Sequence, residues 1–164
     1  MIHYYYGTGK GKTSAALGAC LRALGCGMRC AVVQFLKDGS SSEITPLRKL
    51  GADIYACTSG VRFFKKMTDA ERTAVINTHN ENLTAILNCK YDLIVLDELG
   101  DAFARGAADP ILVDNILFIP DCELIITGHK PLPKFISCAD YITEFRCIAH
   151  PYKKGIKARK GIEF

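Results

Sequence analysis

Short, nearly continuous apolar runs recur along the chain, and this pattern restricts its fold more than any other feature. Residues 2–6, 30–36, 53–57, 92–97, 123–127 and 141–146 have strand length and little polar alternation. A strand with one wet face alternates polar and apolar residues, so such runs imply a mainly parallel sheet covered by helices on both faces. Between the first two runs, residues 13–24 read as a helix closed by Gly25 and Gly27. Thr68 and Glu71 have capping-box spacing, and Val75, Ile76, Leu83, Ile86 and Leu87 then share one helical face. His79 falls on that face, which predicts a packed histidine. Asp109 followed by Pro110 marks another helix start. Residues 39–42 read as a loop, and no linker divides the chain, so residues 1–164 are expected to form one doubly wound α/β domain with about six strands. Ligands in such sheets bind beyond the carboxyl ends of the strands, here after Tyr6, Phe35, Cys57, Leu96 and Ile126.

The first of those places holds the strongest motif: Gly7, Thr8, Gly9, Lys10, Gly11, Lys12 and Thr13, followed by Ser14. Glycines let the backbone curl so that its N–H groups and the helix N-terminus face phosphate oxygens. A lysine then neutralises charge, and a hydroxyl reaches magnesium. Lys12 and Thr13 suit the last two roles. The usual pattern sets its first glycine five positions before the Gly of Gly-Lys-Thr, whereas counting back from Gly11 reaches Tyr6, so this loop is one residue short. The order of strand, loop and helix nonetheless predicts triphosphate binding and a P-loop NTPase-like (RecA-like) fold.

The second half of such a site is an apolar strand delivering acidic residues at its carboxyl end, Tyr91-Asp92-Leu93-Ile94-Val95-Leu96-Asp97-Glu98-Leu99. Hard cations prefer oxygen ligands, so Asp97 and Glu98, with Thr13, are the candidate magnesium residues. The two acids leave an ideal strand on opposite sides, and the sequence alone does not choose between them.

Composition narrows the setting. Of 164 residues, 49% are apolar, enough for a core of ordinary size. The eight cysteines lie in apolar or helical runs with no Cys-x-x-Cys and no signal peptide, which predicts reduced thiols in a cytoplasmic protein rather than a disulfide scaffold or zinc site. No apolar run reaches membrane-span length. The net charge of +4 comes from the C-terminal end, where Arg146, Lys153, Lys154, Lys157, Arg159 and Lys160 face one acid, Glu163. Such a tail attracts anions, but no aromatic and basic RNA-binding motif accompanies it.

Together these blocks resemble the ATP:corrinoid adenosyltransferases of the bacterial cobalamin pathway. The resemblance rests on the shortened loop, Arg22-Ala23-Leu24-Gly25, Val32-Val33-Gln34-Phe35-Leu36-Lys37, Leu96-Asp97-Glu98-Leu99, Ile125-Ile126-Thr127-Gly128, Ala139-Asp140-Tyr141-Ile142-Thr143-Glu144 and the closing Gly161-Ile162-Glu163-Phe164. It implies that a reduced cobalt(I) corrinoid attacks the ribose 5′ carbon of ATP and inorganic triphosphate leaves. It further implies magnesium, a reductase or reduced flavodoxin-like electron donor, and a homodimer. Lys10 and Arg22 become candidate cationic contacts to the nucleotide, while Gln34 and Lys37 stand near the cleft without an assigned role.

The family often has Gly-Phe-x-Trp on the corrinoid side, where this chain has Gly60-Val61-Arg62-Phe63-Phe64, making Phe63 and Phe64 the corrinoid-side candidates. His129 stands where the family commonly has arginine, and His150 follows Ala149 where the family has lysine. Two other readings fit the loop alone. One is a kinase or ATPase acting at the terminal phosphate, with Glu98 as base; the other is a non-catalytic nucleotide- or RNA-binding module.

Overall fold

Cys30–Gln34 (β2) and Leu93–Asp97 (β4) are buried at every position, as strands covered on both faces must be. The computed structural model describes residues 1–57 and 64–162. Within them β1 (Ile2–Tyr6), β3 (Asp53–Tyr55), β5 (Glu123–Gly128) and β6 (Tyr141–Glu144) complete a six-stranded sheet in the order β3-β2-β4-β5-β1-β6. Every pairing is parallel. The α/β expectation and its six strands are therefore met.

Alternate residues of each strand feed two cores. Val33, Ile94, Leu96, Leu124 and Ile126 face Leu83 and Ile86 of α3 (Asp69–Leu87), Ala102 of α4 (Leu99–Ala104), Val113 and Ile116 of α5 (Pro110–Leu117) and Phe135 of α6 (Pro133–Ile136). Val32, Val95 and Ile125 face Ala16, Leu17 and Cys20 of α1 (Lys12–Gly25) and Ile44 and Leu47 of α2 (Ile44–Lys49).

The local signals read from the sequence act as expected. Thr68 and Glu71 form a reciprocal capping box at the start of α3, and Asp109 caps α5 with Pro110 in its first turn. His79 is fully buried among the α3 residues facing the sheet. All eight cysteines are free thiols.

Several strands end sooner than their apolar runs. β2 stops at Gln34 because Leu36 takes a left-handed conformation, with φ of 56°, that turns the chain out of extended geometry. β6 stops at Glu144, and Phe145 and Arg146 instead cross the glycine loop. The edge strand β6 is exposed throughout. Among the described residues no helix is long and apolar enough to cross a membrane.

Candidate functional site

The loop between β1 and α1 is built around close backbone contact. A Cβ on Gly7 would stand 2.3 Å from the carbonyl oxygen of Phe145, and one on Gly9 would stand 2.8 Å from its carbonyl carbon. Only glycine permits that approach. The Phe145 N–H donates to Tyr6 O at 2.7 Å, and its carbonyl accepts from Gly9 N–H at 2.7 Å. The shortened loop is thus held against the chain leaving β6. Gly11 caps α1 with φ of 111°, and the first turn of that helix carries no acidic side chain, leaving its N-terminal N–H groups and dipole suited to anions.

Lys12 folds back over this loop, donating to Gly7 O at 2.8 Å and Gly9 O at 2.9 Å. Burial lowers its pKa, although Asp101, Glu98 and Asp97 pull the other way.

Behind the lysine lies Asp97, a carboxylate with no solvent exposure. Its Oδ1 accepts from the hydroxyls of Thr13 and Thr127, both at 2.8 Å, and its Oδ2 pairs with Lys37 Nζ at 2.7 Å. Three donors offset the desolvation of a charge that would otherwise be costly to bury. Lys37 also reaches Glu98 Oε1 at 3.3 Å. Burial alone would lower the lysine's pKa, but Asp97 and Glu98 together raise it.

Glu98 itself occupies a left-handed corner, φ 64°, where β4 passes into α4, and its N–H donates to Thr127 Oγ1 at 2.8 Å. Burial raises its pKa, with Lys37 opposing. Gln34 sits beside Asp97 in the strand register, fully buried, and neither amide atom has a partner among the described residues.

Of these groups, Lys12, Thr13, Lys37 and Glu98 open onto a cleft of about 1300 Å³, ample for a nucleotide with space beside it. Thr8, Gly9, Lys10, Gly11, Lys12, Thr13 and Ser14 line it, as do Lys37 and Glu98. The basic C-terminal segment reaches it too, through His150, Ala158, Gly161 and Ile162, and Lys10 Nζ donates to Ile162 O at 2.7 Å.

Two candidates stand elsewhere. Arg22 is exposed in the last turn of α1 and does not line the cleft. Phe64 is half-buried against a small apolar cluster of Cys57, Met67 and Val75. Phe63 lies outside the described residues.

The sequence profile of the family described as ATP:corrinoid adenosyltransferase BtuR/CobO/CobP matches residues 1–164. The chain belongs to this adenosyltransferase family. Among its relatives, a corrinoid adenosyltransferase of Pseudomonas aeruginosa is 36% identical, the match covering 96% of this chain and 80% of the relative. The corrinoid adenosyltransferase CobA of Salmonella typhimurium is 28% identical, covering all of this chain and 85% of the relative. A corrinoid adenosyltransferase of Escherichia coli K12 is likewise 28% identical with the same coverage. The family's reaction transfers the adenosyl group of ATP to the cobalt of a corrinoid.

In this adenosyltransferase, Asp101 is not marked by the sequence, while Thr127, directly after Ile126 at an expected strand end, and Lys37 are placed near the site without a role. Threonine or aspartate near a strand end is too common to stand out. The one usable signal was position, since Lys37 and Thr127 both lie at carboxyl ends of strands that a parallel sheet brings together.

Proposed function

We propose that this chain transfers the 5′-deoxyadenosyl group of ATP to the cobalt(I) of a reduced corrinoid and releases inorganic triphosphate, with residues 1–164 acting as one domain. The cobalt electron pair forms the bond to the ribose 5′ carbon, and the carbon–oxygen bond breaks with its pair passing to the triphosphate. Because the corrinoid is the nucleophile, the protein needs no activated serine or cysteine and no general base. Its tasks are to aim the 5′ carbon and to stabilise the charge that develops on the leaving group.

Gly7, Thr8, Gly9, Lys10, Gly11 and Ser14 form the nucleotide-binding loop in this reading, and Lys12 and Thr13 act at the triphosphate. On binding, Lys12 exchanges its two loop carbonyls for phosphate oxygens. Phe63 and Phe64 belong to the corrinoid side.

The donor set also suits magnesium. The Thr13 hydroxyl and the Glu98 carboxylate line the cleft as hard oxygen donors that would hold it, with the Asp97 carboxylate bonded to Thr13 from behind. Bound there, magnesium would neutralise triphosphate charge.

The observation that carries the proposal is the placement of Lys12 and Thr13 at the mouth of a loop one residue short, in a chain matched to the family along its whole length. Eight free thiols support a reducing, cytoplasmic setting. A reductase or reduced flavodoxin-like donor would supply cobalt(I), and a homodimer is the proposed assembly.

Incubating the protein with ATP, magnesium and a chemically reduced corrinoid tests the reaction. Triphosphate together with a light-sensitive adenosylated corrinoid is expected. ADP formed without corrinoid would instead reveal a kinase or ATPase.

A further inference from the structure

Beside the glycine loop, whose Gly7 N–H donates to Gly128 O at 3.2 Å, Asp101 in the first turn of α4 holds His129, the first residue beyond β5. One carboxylate oxygen, Asp101 Oδ2, accepts the backbone N–H of His129 at 3.0 Å and pairs with its ring Nδ1 at 2.8 Å. The carboxylate side chain is only 12% exposed, whereas the imidazole is 56% exposed and lines the same cleft as Lys12 and Thr13. With Nδ1 carrying the proton shared with Asp101, ring Nε2 has no hydrogen-bond partner among the described residues.

The ionic surroundings favour a cation at this place. Asp101 from α4 and Glu98 from the β4–α4 corner attract the imidazolium, and Lys12 from α1 repels it. His150 of the C-terminal segment lines the same cleft. The hydrogen bond to Asp101 is the largest influence and raises the His129 pKa, although burial opposes it. Reciprocally, Asp101 is held below the usual carboxylate range because its bonds to His129 outweigh burial.

We propose that His129, oriented by Asp101, is a second cationic contact to the triphosphate, donating from Nε2 to a phosphate oxygen and making the grip on this group weaken as pH rises. The inference rests on the reading of the cleft as the site that holds the triphosphate of ATP. The ordinary lysine pKa lies well above that of histidine, so of the two cations the imidazolium is the one expected to lose its proton first as pH rises. The grip on triphosphate then weakens with rising pH, which eases its departure after transfer.

Inorganic triphosphate, titrated calorimetrically into the protein with magnesium between pH 6 and 9, reads this directly. Lys12→Ala, His129→Gln and His129→Arg serve as comparisons, and protonation of the ligand itself is common to all four. His129→Gln is expected to bind about tenfold more weakly than the unaltered chain at pH 6, the worth of one charge-assisted hydrogen bond, and equally at pH 9. His129→Arg should keep the pH 6 affinity at pH 9.

Parallel pH curves for the unaltered chain and His129→Gln, with Lys12→Ala still weakened, overturn the inference and leave the cleft reading standing. Binding indifferent to Lys12→Ala as well overturns both. A measurement on the unaltered chain guards against misfolded variants: the NMR titration midpoint of the His129 ring should move up by about one pH unit when triphosphate binds, and an unmoved midpoint refutes the contact.

Discussion

The buried imidazole of His79 accepts the backbone N–H of Leu36 at 3.1 Å through Nε2, while its Nδ1 meets Ala107 O at 2.7 Å. Leu36 is the left-handed corner after β2, and the next residue, Lys37, reaches Asp97. One side chain of α3 therefore braces the turn that delivers a lysine to the site. His79→Leu would leave two buried backbone groups without partners, at about 1–3 kcal/mol each. A loss of about 2–6 kcal/mol in urea unfolding is expected, and His79→Gln, whose amide can both donate and accept, should recover part of it.

The same residue predicts acid sensitivity. Burial lowers the His79 pKa, with the Ala107 bond opposing, so below about pH 6.5 the unfolded chain takes up a proton that the folded one refuses. Stability from this group is fully present above that pH and is lost as pH falls toward the lowered folded value. The gap in urea midpoint between the unaltered chain and His79→Gln should narrow from pH 7.5 to pH 5; a constant gap would assign the acid sensitivity elsewhere.

At the loop, Gly9→Ala forces a Cβ against the carbonyl carbons of Phe145 and Arg146, at 2.8 and 2.9 Å, and backbone atoms there cannot yield cheaply. The loop or the chain after β6 must shift. ATP affinity is expected to fall at least tenfold with little change in far-ultraviolet circular dichroism.

Lys37 and Asp97 are expected to be strongly coupled. Lys37→Met removes the cation between Asp97 and Glu98 and strips a fully buried carboxylate of one of its three donors. A cost of about 3–5 kcal/mol is expected. Asp97→Asn in the same chain should restore part of it, giving a double-mutant coupling of at least about 1 kcal/mol.

Lys12→Ala should lower adenosyl transfer by at least about a hundredfold, the scale on which removing a single group that stabilises developing charge acts. Thermal unfolding should change little, since the two carbonyls that Lys12 contacts belong to its own flanking loop. Near-normal transfer would remove Lys12 from the triphosphate.

Much of the scaffold was legible in the sequence because it follows from local pattern. Continuous apolar runs located β2 and β4, and Thr68 with Glu71 located the start of α3. The helices α2, α4 and α6 were not read. At six, six and four residues they complete too few turns to display an amphipathic face. In the site, Lys12, Thr13, Asp97 and Glu98 were read from their motifs. Arg22, chosen from its family block, turned out to sit outside the cleft, because its place on α1 turns it to solvent.

By itself the sequence determined the covered parallel sheet, the phosphate-type loop and the acidic strand end. Each is written in residues that neighbour one another along the chain. Only the tertiary structure decided that Thr13, Lys37 and Thr127, lying 84, 60 and 30 residues from Asp97, converge on that one carboxylate. It likewise decided that Phe145 braces the loop and that Asp101 holds His129. These contacts depend on the strand order, with β4 between β2 and β5 and β1 between β5 and β6. That order is selected by burying both sheet faces at once, a condition on the whole chain that no local window contains.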